Sequence, residues 1–101
     1  MLHKVLSRKG VPIRLTDERW VHITEEHCEL AGLRLEVLET IANPSRILAG
    51  HKDELLASRE ISPGKHLVVV YREMQNDGFV VTAFLTKRTK SLDRRVQVWP
   101  K

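Results

Sequence analysis

Two of the chain's five histidines stand five residues apart in the segment W-V-H-I-T-E-E-H, which runs from Trp20 to His27. Histidine is the side chain best suited to transfer protons near neutral pH. On a helix, five residues advance by about 500°, so the two rings point about 140° apart. His22 then lies among carboxylates on the polar side, whereas His27 borders the apolar stripe. At most one of these histidines can face a common site.

The chain lacks the usual patterns of nucleophilic and metal catalysis. The H-E-x-x-H spacing is missing and no third ligand is placed near the histidine pair, so we expect no metal ion. Cys28 is the single cysteine and has no activating partner in the sequence, which favours a structural role. Neither a serine nucleophile motif nor a phosphate-binding glycine loop occurs. The chemistry that remains is acid–base catalysis without a metal or another cofactor.

A second set of candidate residues lies on predicted strands. The segments S-R-I-L-A-G, E-L-L-A-S-R-E-I, K-H-L-V-V-V-Y-R-E and G-F-V-V-T-A-F-L-T are rich in branched and aromatic residues and are separated by turn signals. A two-residue turn at Pro63-Gly64 would pair Arg59 with Val68, and a five-residue loop at 74–78 would set the register of the next strand.

This register predicts two different faces of the sheet. The core face carries Leu56, Leu67, Val69, Tyr71, Phe79, Val81, Ala83 and Leu85. The polar face carries Arg59, His66, Arg72, Thr82 and Thr86 among Val68, Val70, Val80 and Phe84, with Lys87 and Arg88 at its end. Such a face could bind an anion. Alternatively, the threonines are there as strand formers, and the cations keep the end of the strand soluble.

Two predicted helices precede these strands and would position the histidines. Thr16 can cap the first helix, which runs from about Asp17 to Leu30 and is ended by Gly32. The second helix stops at Asn43 because a proline follows. A short extended stretch, V-P-I-R-L, comes before both helices, and the C-terminal tail fits either a last strand or a helical turn. The predicted fold class is α+β, with two N-terminal helices followed by an antiparallel β-meander of about four strands.

Composition is that of one soluble globular domain of 101 residues, with 42 % apolar and 30 % charged residues. Residues 13–99 form its predicted core and residues 1–12 a basic N-terminal segment. The absence of a bilayer-spanning run and of a signal-peptide core predicts a cytoplasmic protein with no membrane partner. Residues 17–39 carry a net charge of −5 and residues 87–101 a net charge of +5. This segregation is typical of a polyanion site, although small proteins also show it by chance.

The order of several segments resembles a known group of nucleases. The segments are L-T-D-E-R-W-V-H-I-T-E-E-H, E-V-L-E-T-I-A-N-P, E-L-L-A-S-R-E, K-H-L-V-V-V-Y-R-E and G-F-V-V-T-A-F-L-T-K-R. Over residues 13–99 they are similar to the phage and bacterial nuclease domains of the barnase-EndoU-colicin-RelE-like (BECR) group. The resemblance implies a curved antiparallel sheet, an RNA-cleaving or toxin-like activity and an antitoxin or immunity protein as partner. It implies functional positions at His22, His27, Arg59, Arg72, Thr82 and Thr86. Cys28 stands where the expected pattern H-P-E-L has a proline, which alters the end of the helix.

The leading hypothesis is a metal-independent endoribonuclease, toxin-like or phage-related, that cleaves RNA by attack of a 2′-hydroxyl. The reaction needs a base for the hydroxyl proton, an acid for the leaving 5′-oxygen and cations for the charge on phosphorus. His27 would transfer a proton if it reaches the sheet edge, and His22 otherwise. The two arginines would stabilise the transition state, the two threonines would bind phosphate oxygens, and Lys87 and Arg88 would hold the RNA backbone.

Two other hypotheses stay open at the level of sequence. One is a non-catalytic RNA-binding or protein-interaction module on the same fold, and the other is an inactive structural domain. An aromatic content of 5 % counts mildly against a protein that reads RNA by stacking its bases. No feature of the chain indicates the RNA target or the oligomeric state.

Overall fold

One seven-stranded sheet organises the chain in a computed structural model that describes residues 3–101. The strands are β1 (Lys4–Leu6), β2 (Pro12–Arg14), β3 (Arg46–Ala49), β4 (Glu54–Ser62), β5 (Lys65–Glu73), β6 (Gly78–Thr86) and β7 (Gln97–Trp99). The helices are α1 (Asp17–Glu26), α2 (Arg34–Ala42) and α3 (Lys90–Asp93). The strand order is β1-β2-β6-β5-β4-β3-β7, and every neighbouring pair is antiparallel except β2 and β6.

The predicted arrangement of two N-terminal helices followed by a meander of about four strands is wrong. β1 and β2 form a hairpin before α1, and the C-terminal tail adds both α3 and β7. β2 also pairs parallel to β6, which makes the sheet mixed. β1, β2 and β7 have three residues each, too few for a visible alternation of apolar and polar side chains. Their positions depend on contacts between distant parts of the chain, which local patterns do not show.

Local signals set the start of α1. Oγ1 of Thr16 accepts a hydrogen bond from the backbone N–H of Arg19 at 3.1 Å, and the first turn is acidic, which suits the helix dipole. α1 ends before His27, and the predicted continuation to Leu30 is a separate 3₁₀ turn. Within residues 3–101, no helix has the length and apolarity needed to cross a membrane.

Different helices pack against the two faces of the sheet. The helix face packs against α1 and α2 and holds the main core, whose buried strand residues are Ala57, Leu67, Val69, Tyr71, Val80 and Ala83. The opposite face, called the α3 face below, is covered at its centre by Leu92 of α3. Leu92 packs on a smaller cluster of Leu48, Leu56, Val68 and Val70. Toward both ends of the strands, the α3 face carries partly exposed polar side chains.

A β-bulge at Ile61 decides the face to which Arg59 belongs. The predicted two-residue turn at Pro63-Gly64 forms, but the ladder shifts between Glu60 and Ser62 and leaves Ile61 unpaired. Arg59 therefore lies opposite Leu67 on the helix face instead of opposite Val68. The prediction that Arg59 shares a face with Arg72 and the threonines is wrong for this reason.

A second bulge, at Val81, reverses the predicted faces at the start of β6. Val80, predicted on the polar face, is buried in the main core, and Phe79, predicted in the core, is 37 % exposed. Leu56, likewise predicted in the main core, packs in the smaller cluster below α3. Beyond Val81 the strand returns to the predicted register, so Thr82 and the residues after it keep their predicted faces.

The parallel contact between β2 and β6 depends on a glycine. Ile13 of β2 is fully buried and lies beside Gly78 at the start of β6. A Cβ atom on Gly78 would lie 2.5 Å from Cδ1 of Ile13 and 2.4 Å from the backbone oxygen of Arg72. These distances leave no room for a side chain at this position.

Gly78→Ala should lower the free energy of unfolding by about 1–3 kcal/mol, because the added methyl group overpacks the contact between β2 and β6. Urea denaturation followed by circular dichroism measures the change. An unchanged unfolding midpoint would contradict the close packing of the two strands.

Tyr71 links the stability of the main core to alkaline pH. Burial raises the pKa of its hydroxyl well above the ordinary value of 10.0, and the Glu73 carboxylate raises this pKa further. The unfolded chain ionises Tyr71 first, so the stability present below about pH 10 is lost as the pH rises toward the folded-state pKa. We expect Tyr71→Phe to lose less stability than the wild type between about pH 9 and pH 11 in urea titrations. Equal losses in the two proteins would mean that other groups drive the alkaline unfolding.

Candidate functional site

His27 meets the sheet at the outer edge of β6. It follows the last turn of α1, and its ring centroid lies 6.4 Å from that of Phe84, with the ring planes tilted by 38°. β2 pairs with Gly78 and Phe79, so the rest of this edge has no strand partner within residues 3–101. The His27 side chain is 34 % exposed, and its Nδ1 lies 3.5 Å from Oε2 of Glu29. Of the two helix histidines, His27 is the one that reaches the sheet.

His22 lies away from the strand residues. Its side chain is 61 % exposed, and its Nε2 lies 3.8 Å from Oε1 of Glu26 one turn further along α1. It borders a shallow depression with Thr16, Glu18 and Arg19. The structure therefore does not bring His22 together with the other predicted site residues.

Arg59 connects β4 to α2 on the helix face. Its Nε donates a hydrogen bond to Oγ1 of the buried Thr40 at 3.3 Å, and its Nη2 donates to the backbone oxygen of Glu36 at 3.4 Å. Nη1 lies 3.7 Å from the carboxylate of Glu39. These contacts make Arg59 a tether between helix and sheet, on the face opposite to Arg72.

Arg72, Thr82 and Thr86 lie on the α3 face but are spread along it. Thr82 and Thr86 each stand two residues from Phe84 on β6, and so project to the same side at spacings of about 7 Å. Thr86 is opposite His66 on β5, whereas Arg72 lies six residues further along β5, about 20 Å away. One phosphate group cannot contact Arg72 and Thr86 together.

Thr86 uses its hydroxyl within the protein. Its Oγ1 accepts a hydrogen bond from the backbone N–H of Arg88 at 3.0 Å and donates one to the backbone oxygen of Arg88 at 3.3 Å. These bonds close the turn through which the chain leaves β6. Thr86 therefore holds Lys87 and Arg88 in place, and the hydroxyl that is available for a ligand belongs to Thr82.

A basic cleft of about 650 Å³ begins where β6 ends. Its lining residues are Lys87, Arg88, Thr89, Lys90, Ser91 and Arg94. Within residues 3–101, no carboxylate lies within 4.0 Å of the amino and guanidinium groups of this cleft. Four cations that no acid neutralises are suited to binding a phosphate backbone.

A polar cleft of about 530 Å³, called the His66 cleft below, adjoins the basic cleft through Thr89, which lines both. It contains His66 and Arg46 beside the buried Ser58. Nη2 of Arg46 donates a hydrogen bond to Oδ1 of Asp93 at 2.9 Å, which connects β3 to α3. The cleft thus places an imidazole and an oriented guanidinium next to the four cations.

Two residues of the His66 cleft had no assigned role at the level of sequence. The alternation of side chains along β5 predicts His66 on the same face as Thr82 and Thr86, so the sequence does indicate where His66 lies. Arg46 gave no such signal, because its position beside His66 requires the pairing of β3 with β4 and the packing of α3.

Comparisons with known protein families, with curated proteins and with solved structures find no match for this chain. Within residues 3–101, no three histidine, cysteine, aspartate or glutamate side chains are grouped so that they could hold a metal ion. The end of β6 has His27 at its outer edge and His66 on β5 at its other side, with the Thr82 hydroxyl and the cations of the basic cleft nearby. These groups can exchange protons with a phosphate ester and bind its negative charge.

Arg59→Ala should lower the free energy of unfolding by about 1 kcal/mol, because the Thr40 hydroxyl and the Glu36 carbonyl lose their donor. Arg72→Ala is the matched control. Its guanidinium has an ion pair with Glu54 at 3.8 Å and is 35 % exposed, so the cost should stay below about 0.5 kcal/mol. Urea denaturation of both variants measures the difference. Equal destabilisation would contradict the tether assigned to Arg59.

Proposed function

We propose that the protein is a metal-independent endoribonuclease, toxin-like or phage-related, whose RNA lies along β6 on the α3 face and continues into the basic cleft. The observation that carries the proposal is the contact of His27 with Phe84, two residues from Thr82 and three from Lys87. An acid–base side chain, a hydroxyl and cations thus lie on or beside the last residues of β6. Cleavage of RNA without a metal needs this combination of groups.

His27 is suited to take the proton of the 2′-hydroxyl. Its Nδ1 lies 3.5 Å from Oε2 of Glu29, and its Nε2 is the nitrogen that would act as the base. The 2′-oxygen then attacks phosphorus, the bond from phosphorus to the 5′-oxygen breaks, and the 5′-oxygen takes up a proton. The products are a 2′,3′-cyclic phosphate and a 5′-hydroxyl end.

His66 is the candidate donor of the second proton, because it lies opposite Thr86 in a cleft that adjoins the basic cleft. Charge that develops on phosphorus falls to Lys87 and Arg88 in place of Arg59, which faces the other way. Arg72, about 20 Å away at the far end of the same face, would bind a phosphate several nucleotides along the strand.

A non-catalytic RNA-binding module is the second candidate, and the four unpaired cations of the basic cleft favour it. Such a module would hold the RNA backbone and leave it intact. For the nuclease, an antitoxin or immunity protein that covers the α3 face is the partner we propose, and the cytoplasm is the compartment.

In the presence of a chelator, the wild-type protein should cut a fluorescent oligoribonucleotide, and His27→Ala should lower the rate by at least about 100-fold, because general acid–base catalysis is lost. His66→Ala should lower it to a similar extent. His22→Ala, a histidine from the same helix, is the matched control and should retain the wild-type rate. The same oligonucleotide with 2′-deoxyribose should stay intact.

Two results would overturn the enzyme proposal: an uncut oligoribonucleotide with the wild-type protein, or equal loss of activity in His22→Ala and His27→Ala. Binding without cleavage, with an affinity that falls steeply as salt rises, would establish the RNA-binding module instead. Lys90→Ala with Arg94→Ala should then flatten the salt dependence, since each lost phosphate contact removes about 0.7 from the logarithmic slope on a single strand.

A further inference from the structure

A separate cavity of about 380 Å³ lies on the helix face, between the β1–β2 loop and β7. Its inner surface is apolar and consists of Ile47, Leu55 and Tyr71 of the sheet, together with Val98 and Trp99 of the tail. Apart from these, its lining comprises Arg8, Lys9, Glu73 and Lys101. The volume and the largely apolar lining match those of small-molecule sites in proteins.

The rim of this cavity is positively charged. The guanidinium carbon of Arg8 lies 4.2 Å from the centroid of the Trp99 ring, and Lys9 and Lys101 also line the cavity. Within residues 3–101, no carboxylate lies within 4.0 Å of the charged groups of these three cations. Glu73 is the one acid of the lining, and it is engaged because its carboxylate accepts a hydrogen bond from Ser7. That bond also fixes the loop of Arg8 onto the end of β5.

We propose that this cavity binds a free planar aromatic anion of mononucleotide size. The ring system would pack on the apolar floor beside Trp99, one face of which Arg8 covers, and its phosphate group would contact Arg8, Lys9 and Lys101. A neutral aromatic ligand would leave the cations without a partner, and a bare anion would leave the apolar floor uncovered. A nucleotide would cover the apolar floor with its base and contact the cations with its phosphate. Aromatic packing and charge-assisted hydrogen bonds act on these different ends of the ligand.

The cavity is independent of the ribonuclease proposal. None of its lining residues lines the basic cleft or the His66 cleft. Leu55 and Tyr71 are cross-strand partners on the helix face, whereas the proposed RNA path runs over the α3 face. A variant that loses nucleotide binding should therefore keep RNA cleavage, and the reverse should also hold. Either proposal can thus fail alone.

Calorimetric titration of the full chain with AMP tests the site, with adenosine and inorganic phosphate as the two partial ligands. AMP should bind with a Kd of about 1 mM or tighter, and each partial ligand should bind at least about tenfold more weakly. In Trp20→Phe, Trp99 is the only remaining tryptophan, so its fluorescence should change along the same binding curve. A short oligoadenylate should bind no more tightly at this site than AMP, since the proposed ligand is a free nucleotide.

The variant Arg8→Ala tests whether AMP binds in the cavity or at another basic surface of the protein. Arg8 is exposed, so the variant should keep the wild-type melting temperature while its affinity for AMP falls at least about tenfold. Arg19→Ala, an exposed arginine of α1, is the matched control and should bind AMP like the wild type.

Three results would overturn the proposal: no saturable binding of AMP, unchanged binding in Arg8→Ala, or binding that Arg88→Ala abolishes. Self-association of the protein that Arg8→Ala removes would also overturn it, because the occupant would then be a second copy.

Discussion

The short parallel contact between β2 and β6 is the constraint on which the site depends. Gly78 lets Ile13 approach the sheet so closely that no side chain fits between the two strands. β2 pairs with only the first two residues of β6 and then leads into Thr16, where α1 starts. The outer edge of β6 beyond Phe79 therefore has no strand partner within residues 3–101, and the end of α1 brings His27 to it. A longer β2 would occupy the edge that His27 reaches.

Features of this fold that depend on a few neighbouring residues, such as helix caps and tight turns, are predicted from the sequence. The cap at Thr16 and the turn at Pro63-Gly64 are both present, because each depends on a few neighbouring residues. Bulges are harder to predict, since one extra residue reverses the face of every side chain on one side of it. The bulge at Ile61 moves Arg59 to the helix face for this reason. In β6 a bulge compensates for a loop one residue shorter than predicted, and Thr82 keeps its predicted face.

Features that depend on distant contacts could not be predicted from local patterns. β1 and β2 are short, and their place beside β6 follows from the packing of Ile13 against a residue 65 positions later in the chain. The tail contains both a helical turn and a strand, and it covers the α3 face through Leu92. The positions of Arg46 and Asp93 in the His66 cleft follow from that packing. The candidate site is thus a product of tertiary structure, although the sequence places several of its residues on the correct face.

The charge segregation seen in the sequence has a structural counterpart. The acidic residues of α1 and α2 belong to the elements on the helix face, and the basic tail lies beside the end of β6. The exception is His27, which follows the acidic helix α1 and whose Nδ1 lies 3.5 Å from Oε2 of Glu29. In the proposed site, proton transfer and phosphate binding would be supplied by different elements, which meet near Phe84.

The most direct test of the proposed RNA site is to map it by nuclear magnetic resonance. The ligand is an oligoribonucleotide whose 2′-hydroxyls are methylated, so that it cannot be cut. Chemical shifts should change at His27, Thr82 and Arg88 and along the basic cleft. Changes confined to His22 and its neighbours on α1, or no saturable changes at all, would contradict the site on the α3 face.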